Sequence, residues 1–186
     1  MLLQIEGAIL MWIQNHLRCA ALNPVMIVIT SLGNGGAFWI ALTVLLLIFR
    51  RTRRIGVYCA ASMLLTLLVV NVAVKPLVAR TRPYELIQGL QILVSRPHDY
   101  SFPSGHSANS LTCAWTIFRL APRKYGVPAL VLAVLIALSR LYVGVHFPTD
   151  VLAGAEEKIR AEHGHIITKM TLNLNGVCAD CAEKSN

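Results

Sequence analysis

Hydrophobic positions along the chain fall into blocks of two kinds. Over about 3–17, apolar Leu3, Ile5, Ala8, Ile9, Met11, Trp12 and Ile13 are set among polar Gln4, Glu6, Gln14 and Asn15. That pattern predicts a short amphipathic helix lying in a membrane interface. From 25 to 49 the chain is apolar except for a break at 31–36 that holds Ser31, Gly33, Asn34, Gly35 and Gly36. A first membrane span is therefore expected over about 36–49, extended toward the N-terminus by a broken or re-entrant turn, because glycine-rich breaks at membrane depth are tolerated where protein covers them. Further spans are expected over about 55–75, ending at Lys75, then over about 104–120 and about 126–143. A fifth starts near Thr149 and stops at Glu156, after roughly six apolar residues where a spanning helix needs about 20. Residues 76–103 form a polar stretch rich in Arg and Pro, and beyond 155 the apolar residues thin out.

The chain thus reads as all-α: an integral membrane helix bundle over 1–155, followed by a soluble tail over 156–186. The bundle comprises an N-terminal amphipathic helix, about four complete spans and a truncated last helix. Composition agrees, with 55% hydrophobic residues, 14% charged residues and a mean hydropathy of +0.59. The formal charge of +8 invites a nucleic-acid reading. Its placement argues against one. Arg50, Arg51, Arg53 and Arg54 share one short gap between apolar runs, and Arg119, Arg123 and Lys124 share another. This is the pattern of cytoplasmic loops, and no soluble face is left for a nucleic acid. If those gaps lie on one side, the segments at about 75–104 and 140–150 lie on the other, the extracytoplasmic face. No secretory signal is evident in 1–17. Cys59 and Cys113 fall inside apolar runs and read as small hydrophobes, so no disulfide framework is expected.

Both outer segments carry chemistry. Lys75, Arg82, His106, Arg140, His146 and Asp150 are ionisable residues at or near the ends of apolar helices, where such groups are costly unless paired or functional. Taken singly, Lys75 and Arg140 read equally well as headgroup anchors. As a set they form three ordered blocks: Lys75 with Arg82 and Pro83, then Pro103, Ser104, Gly105 and His106, then Arg140, His146 and Asp150. Phosphoryl transfer needs positive charge and donors around the equatorial oxygens, an in-line nucleophile and an acid for the leaving group. Lys75, Arg82 and Arg140 supply charge, and the arginine forks suit phosphate. The turn at Ser104, Gly105 and His106 opens a helix whose backbone N–H groups would face the anion, with Gly105 permitting close approach and Ser104 adding a hydroxyl donor. His146 lies one helical turn before Asp150, so the carboxylate can orient the imidazole as a nucleophile, while His106 serves as the acid and later the base. Capping roles for His106 and Asp150 are the bland alternatives.

These blocks and their spacing resemble the type 2 phosphatidic acid phosphatase superfamily over residues 1–155. Its members include undecaprenyl-pyrophosphate phosphatases, phosphatidylglycerophosphate phosphatases, glucose-6-phosphatases, soluble acid phosphatases and vanadium haloperoxidases. The resemblance implies a metal-independent hydrolase of lipid phosphates acting through a phosphohistidine, with His146, His106 and Asp150 catalytic and Lys75, Arg82, Ser104, Gly105 and Arg140 binding phosphate. No cofactor is expected. Small size and the amphipathic start favour undecaprenyl pyrophosphate as substrate, ahead of phosphatidate or phosphatidylglycerophosphate. Members of the family complete a last spanning helix after the final block, and this chain gives way there to Glu156, Glu157 and Lys158. A catalytically inactive membrane scaffold is accordingly the competing expectation.

The tail resembles the C-terminal end of a ferric-uptake-regulator family protein: a helix ending at His163 and Gly164, an alternating strand over 166–174, then Cys178 and Cys181. Two cysteines make half of a four-cysteine zinc site. Weak metal binding, pairing in a dimer, a disulfide and no role at all stay open for them.

Overall fold

The computed structural model describes residues 1–163, with side chains through 155. The expected tail strand, the regulator-like segment and Cys178 and Cys181 lie outside the described residues. Every regular element among the described residues is helical.

α1 (Leu2–His16) occupies the predicted amphipathic stretch, but its faces are used differently from the expectation. Glu6, Gly7 and Leu10 are buried, while Ile5, Ile9 and Trp12 are exposed. Gln14 also turns to the protein, donating to the Gly89 carbonyl (3.0 Å) and accepting from the Gln91 N–H (2.8 Å). Glu6 and Gln14 thus serve protein contacts, while Gln4 and Asn15 stay exposed. A chain solvated by hydrocarbon hides its polar groups inside and leaves its apolar stripe outward.

α2 (Leu22–Leu32) and α3 (Ala37–Ile48) are joined by a 3₁₀ turn, Asn34–Gly36, and together form a pair bent by 49°. Gly35 and Gly36 take positive φ of 56° and 70°, a region glycine adopts freely. The expected broken span has this form. α4 (Arg53–Thr66) continues through a π-helical stretch, Leu67–Val74, into α5 (Lys75–Val78), and α6 (Pro83–Leu86) is a single turn beyond it. α7 (Gly105–Leu120), α8 (Arg123–Tyr142) and α9 (Pro148–His163) complete the bundle.

By length and composition, two segments among the described residues can cross a membrane, Arg53–Leu86 and Arg123–Tyr142, or three if the bent pair is one span. The third expected span is α7, 16 residues and about 24 Å long, which leads from Gly105 to the basic turn before α8. Its apolar character has another cause. α7 packs on α3, α4, α8 and α9 and buries Cys113, Ala114 and Ile117 together with the polar Ser107, Ser110 and Thr116. The central cluster adds Trp39, Cys59, Ala133 and Ile136, and the Trp39 indole donates to Ser110 Oγ at 2.8 Å. α7 is apolar because it is the core, and lipid instead meets exposed residues such as Val44, Leu64, Val72 and Val131.

The arginine turn between α3 and α4 and the basic turn between α7 and α8 start the two long helices, α4 and α8. The helical run from α4 reaches Lys75 at the start of α5, and α8 carries Arg140 in its last turn, at the opposite end of the bundle. The candidate chemistry is gathered there.

Candidate active site

A cavity of about 330 Å³ at that end is lined by Lys75, Arg82, Gly105, His106, Arg140 and His146, together with Asn34 and Asp99. Lys75 arrives where the π-helical stretch closes into α5, and Arg82 follows Ala79, whose positive φ (47°) reverses the chain. Arg140 comes from the last turn of α8. Lys75, Arg82 and Arg140 are each at most 6% exposed. The structure therefore brings together the three cations and both histidines expected from sequence. Ser104 and Asp150 stand behind the cavity wall, fully buried.

Three buried cations need an anion, and Asp99 supplies one. Its carboxylate pairs with Lys75 and with Arg82 Nη2 (2.6 Å), while its own carbonyl accepts from Arg82 Nε (2.8 Å). Burial alone would raise the Asp99 carboxyl, but the hydrogen bond and charge of Lys75, and then Arg82, hold it down at about 2. Arg140 donates to Thr30 Oγ1 at 2.7 Å, and its buried Nε has no partner. That orphaned donor, on a residue that lines the cavity, is open to an anionic partner.

His146 sits in the short connection between α8 and α9 and is 1% exposed. Its Nε2 lies 3.4 Å from Arg82 Nη1, on the cavity side. Its Nδ1 stands 3.5 Å from Asp150 Oδ2, too poorly aligned to count as a hydrogen bond. Burial pushes the His146 imidazole down to about 4, against the opposing pull of Asp150, so the ring is neutral near pH 7 and keeps a lone pair. Asp150 is not the helix N-cap that one reading allowed. It occupies the third position of α9 and reaches back to accept the Phe147 N–H at 2.8 Å, as a capping box does. The same oxygen accepts from Ser101 Oγ (2.5 Å), and the other accepts from Arg80 Nη1 (2.5 Å).

Ser104 departs from its expected part as a donor lining the cavity. It caps α7, its hydroxyl accepting from the Ser107 hydroxyl (2.9 Å) and, weakly, from the Ser107 N–H (3.4 Å). Its own N–H donates to the Asp150 carbonyl at 2.9 Å, which ties the start of α7 to the start of α9. Gly105 lines the cavity, and a Cβ there would lie 3.1 Å from Asn71 Oδ1 and 3.9 Å from Lys75 Nζ. His106 Nε2 is 3.0 Å from Asn34 Oδ1, so the glycine break between α2 and α3 serves the site directly. A side chain at Gly33 would strike the His106 ring at 2.6 Å.

Five residues of this site escaped the sequence reading: Asp99, Arg80, Glu6, Ser101 and Asn34. Arg80 sits two residues before Arg82, inside the block already singled out. Glu6 carried a signal too, as an acid in an apolar helix. Asp99, Ser101 and Asn34 lie in turns whose sequence says nothing of what they meet. Among the described residues, no group of three His, Cys, Asp or Glu side chains is placed to hold a metal ion.

The profile of the PAP2 superfamily matches residues 55–155. An undecaprenyl-diphosphatase of Sulfolobus acidocaldarius is 38% identical over 140 residues, 75% of this chain and 67% of the relative. The phosphatidylglycerophosphatase B of Bacillus subtilis is 42% identical over 66 residues, which span 32% of that protein. Among solved structures, the transmembrane PAP2 type phosphatidylglycerolphosphate phosphatase of Bacillus subtilis superposes with a TM-score of 0.68 at 30% identity, covering 84% of this chain and 80% of that one. LpxE of Aquifex aeolicus superposes with a TM-score of 0.71 at 28% identity, covering 84% and 89%.

Proposed function

The chain belongs to the PAP2 superfamily, and from that premise we propose that it hydrolyses a lipid phosphate at the extracytoplasmic membrane surface through a phosphohistidine on His146. One observation carries the reading. Three cations and two imidazoles from separate stretches of the chain meet around a single cavity, with Asp150 behind the imidazole of His146.

The chemistry follows from those positions. A substrate phosphate is held by Lys75, Arg82 and Arg140, whose charges offset the negative charge that builds on its oxygens in the transition state. The Nε2 lone pair of His146 attacks phosphorus as the bond from phosphorus to the leaving oxygen breaks. His106 donates a proton to that oxygen. Asp150 stabilises the imidazole as it becomes cationic. In the second half His106 takes a proton from water, the hydroxide adds to phosphorus, and the N–P bond breaks to release phosphate and free His146.

Undecaprenyl pyrophosphate, cleaved to the monophosphate, is the favoured substrate, because the relative named for that activity aligns over three quarters of the chain. Phosphatidylglycerophosphate is the second reading, favoured by the Bacillus subtilis structure. Against the inactive-scaffold alternative stands α9, which seats Asp150 at full burial with three donors on its carboxylate before the point where the sequence turns polar. The deciding measurement is phosphate release by the purified protein in detergent with EDTA present. Release from undecaprenyl pyrophosphate faster than from phosphatidylglycerophosphate or phosphatidate is expected. The reverse ranking transfers the assignment to the glycerolipid, and no release from any of them leaves the scaffold.

A further inference from the structure

Behind the cavity wall an ion network runs from the first helix to the nucleophile. Glu6, 2% exposed on α1, pairs with Arg80 Nη2 at 2.5 Å, and its other oxygen accepts from the Thr149 hydroxyl (2.5 Å) and N–H (3.1 Å). Arg80 Nη1 in turn donates to Thr149 Oγ1 (2.7 Å) and to Asp150 Oδ1 (2.5 Å). One guanidinium is thus shared between two buried carboxylates, with its plane stacked over the Phe147 ring at 4.1 Å. One turn further along α1, Leu10 packs in a cluster with Phe147, so α1 holds Phe147 and Thr149, which lie between His146 and Asp150, by contact and by hydrogen bonds. The first turn of α9 is separately closed by Asp150 on the Phe147 N–H.

We infer that Glu6 and Arg80 are positioning residues: they fix the Asp150 carboxylate, and through it the ring of His146, and so make the membrane-facing helix α1 part of the catalytic unit. The physical reason is charge sharing. While Glu6 takes part of the Arg80 charge, Asp150 retains the negative potential that stabilises the His146 cation formed on attack. Without Glu6 the guanidinium bears on Asp150 alone, and the carboxylate both weakens and loses its fixed orientation. Neither residue lines the cavity, so phosphate binding by Lys75, Arg82 and Arg140 is left intact.

The inference rests on the phosphohistidine reading, and its test separates the two. Wild type, Glu6→Gln, Arg80→Lys and the double variant are compared in rapid-quench assays with a short-chain lipid phosphate, following acid-labile phosphoenzyme and steady-state turnover. Gln keeps the shape and hydrogen bonds of Glu6, and Lys keeps the charge of Arg80 without its fork. We expect kcat to fall by about 10- to 100-fold, the usual effect of removing outer partners of a catalytic group, with KM unchanged and phosphoenzyme still formed by every chain, only more slowly. The double variant is expected to be no worse than the poorer single one, since both cut the same link. Wild-type kcat in Glu6→Gln, or losses that multiply in the double variant, would overturn the positioning role. So would a fall confined to the fraction of chains that form phosphoenzyme, which marks misfolding. Absence of phosphoenzyme in the wild type would instead defeat the catalytic reading itself.

Discussion

At the scale of single residues, the two imidazoles have different surroundings and should fail differently. His146→Ala is expected to abolish turnover and phosphoenzyme, whereas His106→Ala should still accept a phosphoryl group from an aryl phosphate, whose leaving group needs no acid. Equal residual rates in both variants would count against the nucleophile assignment. The pH dependence has a definite sign. His146 is held down to about 4 by burial, so its lone pair is present above that value, and kcat/KM should fall as pH drops through about 4 and not near the ordinary imidazole range. A pH–rate profile with an aryl phosphate checks this. Asp99 gives a third expectation. Its carboxylate pairs with Lys75 and Arg82, so an entering phosphate must compete with it. In Asp99→Asn, inorganic phosphate should inhibit several-fold more strongly and raise Tm more than in the wild type, by binding linkage. Weaker inhibition would make Asp99 a support of the cage and not a competitor. Of these residues, the cations and histidines were legible because ionisable groups at apolar helix ends are anomalous. Asp99 was not, since an aspartate in a polar loop is unremarkable until its partners are known.

Helix-to-helix geometry fixes where Asp150 stands, and one glycine controls it. A Cβ at Gly154 of α9 would lie 2.8 Å from the Ser104 carbonyl and 3.1 Å from the Ala108 nitrogen, both backbone atoms of the α7 N-terminus. Ala is the better helix former, yet here it must push α9 off α7 and pull on the bond from Ser104 N–H to the Asp150 carbonyl. Gly154→Ala should therefore cost about 1–3 kcal/mol of stability and reduce kcat as well, read by thermal unfolding in detergent alongside turnover. Gly7→Ala on α1 is the contrast, because its new methyl would meet Ile87 at an ordinary 3.5 Å and should be tolerated. An unchanged kcat in Gly154→Ala would mean the α7–α9 seam does not position the site. The helices themselves were largely readable from apolar periodicity. The inward turn of Glu6 and Gln14 on α1 was not, because a helix bounded by lipid and protein shows the same pattern as one bounded by lipid and water.

For the whole molecule, the chain direction sets which end faces which compartment. The basic turns at 50–54 and 119–124 lie at one end and the cavity at the other, and the extracytoplasmic site proposed above requires the basic end to face the cytoplasm. Cys19, exposed and hydrogen-bonded through its N–H to the Tyr142 hydroxyl, belongs to the cavity end. With the other cysteines replaced by serine, Cys19 should react with a membrane-impermeant maleimide in intact cells, and a cysteine introduced by Arg51→Cys should react only after the membrane is opened. The opposite pattern would place hydrolysis on the cytoplasmic side.

The sequence by itself pointed to a membrane helix bundle, to most of its long helices, and to three cations and two histidines as a candidate site. Those properties depend on local composition: apolar runs, glycine breaks and charges stranded among them. Tertiary structure alone decided that α7 is the buried centre and not a lipid-facing span, that Ser104 caps a helix while Asn34 meets His106, and that Asp99 fills the cation cage. It alone linked Glu6 through Arg80 to Asp150, residues separated by most of the chain. A charged side chain announces in sequence that it needs a partner, but the partner is chosen by distance in space, which only the packed helices define.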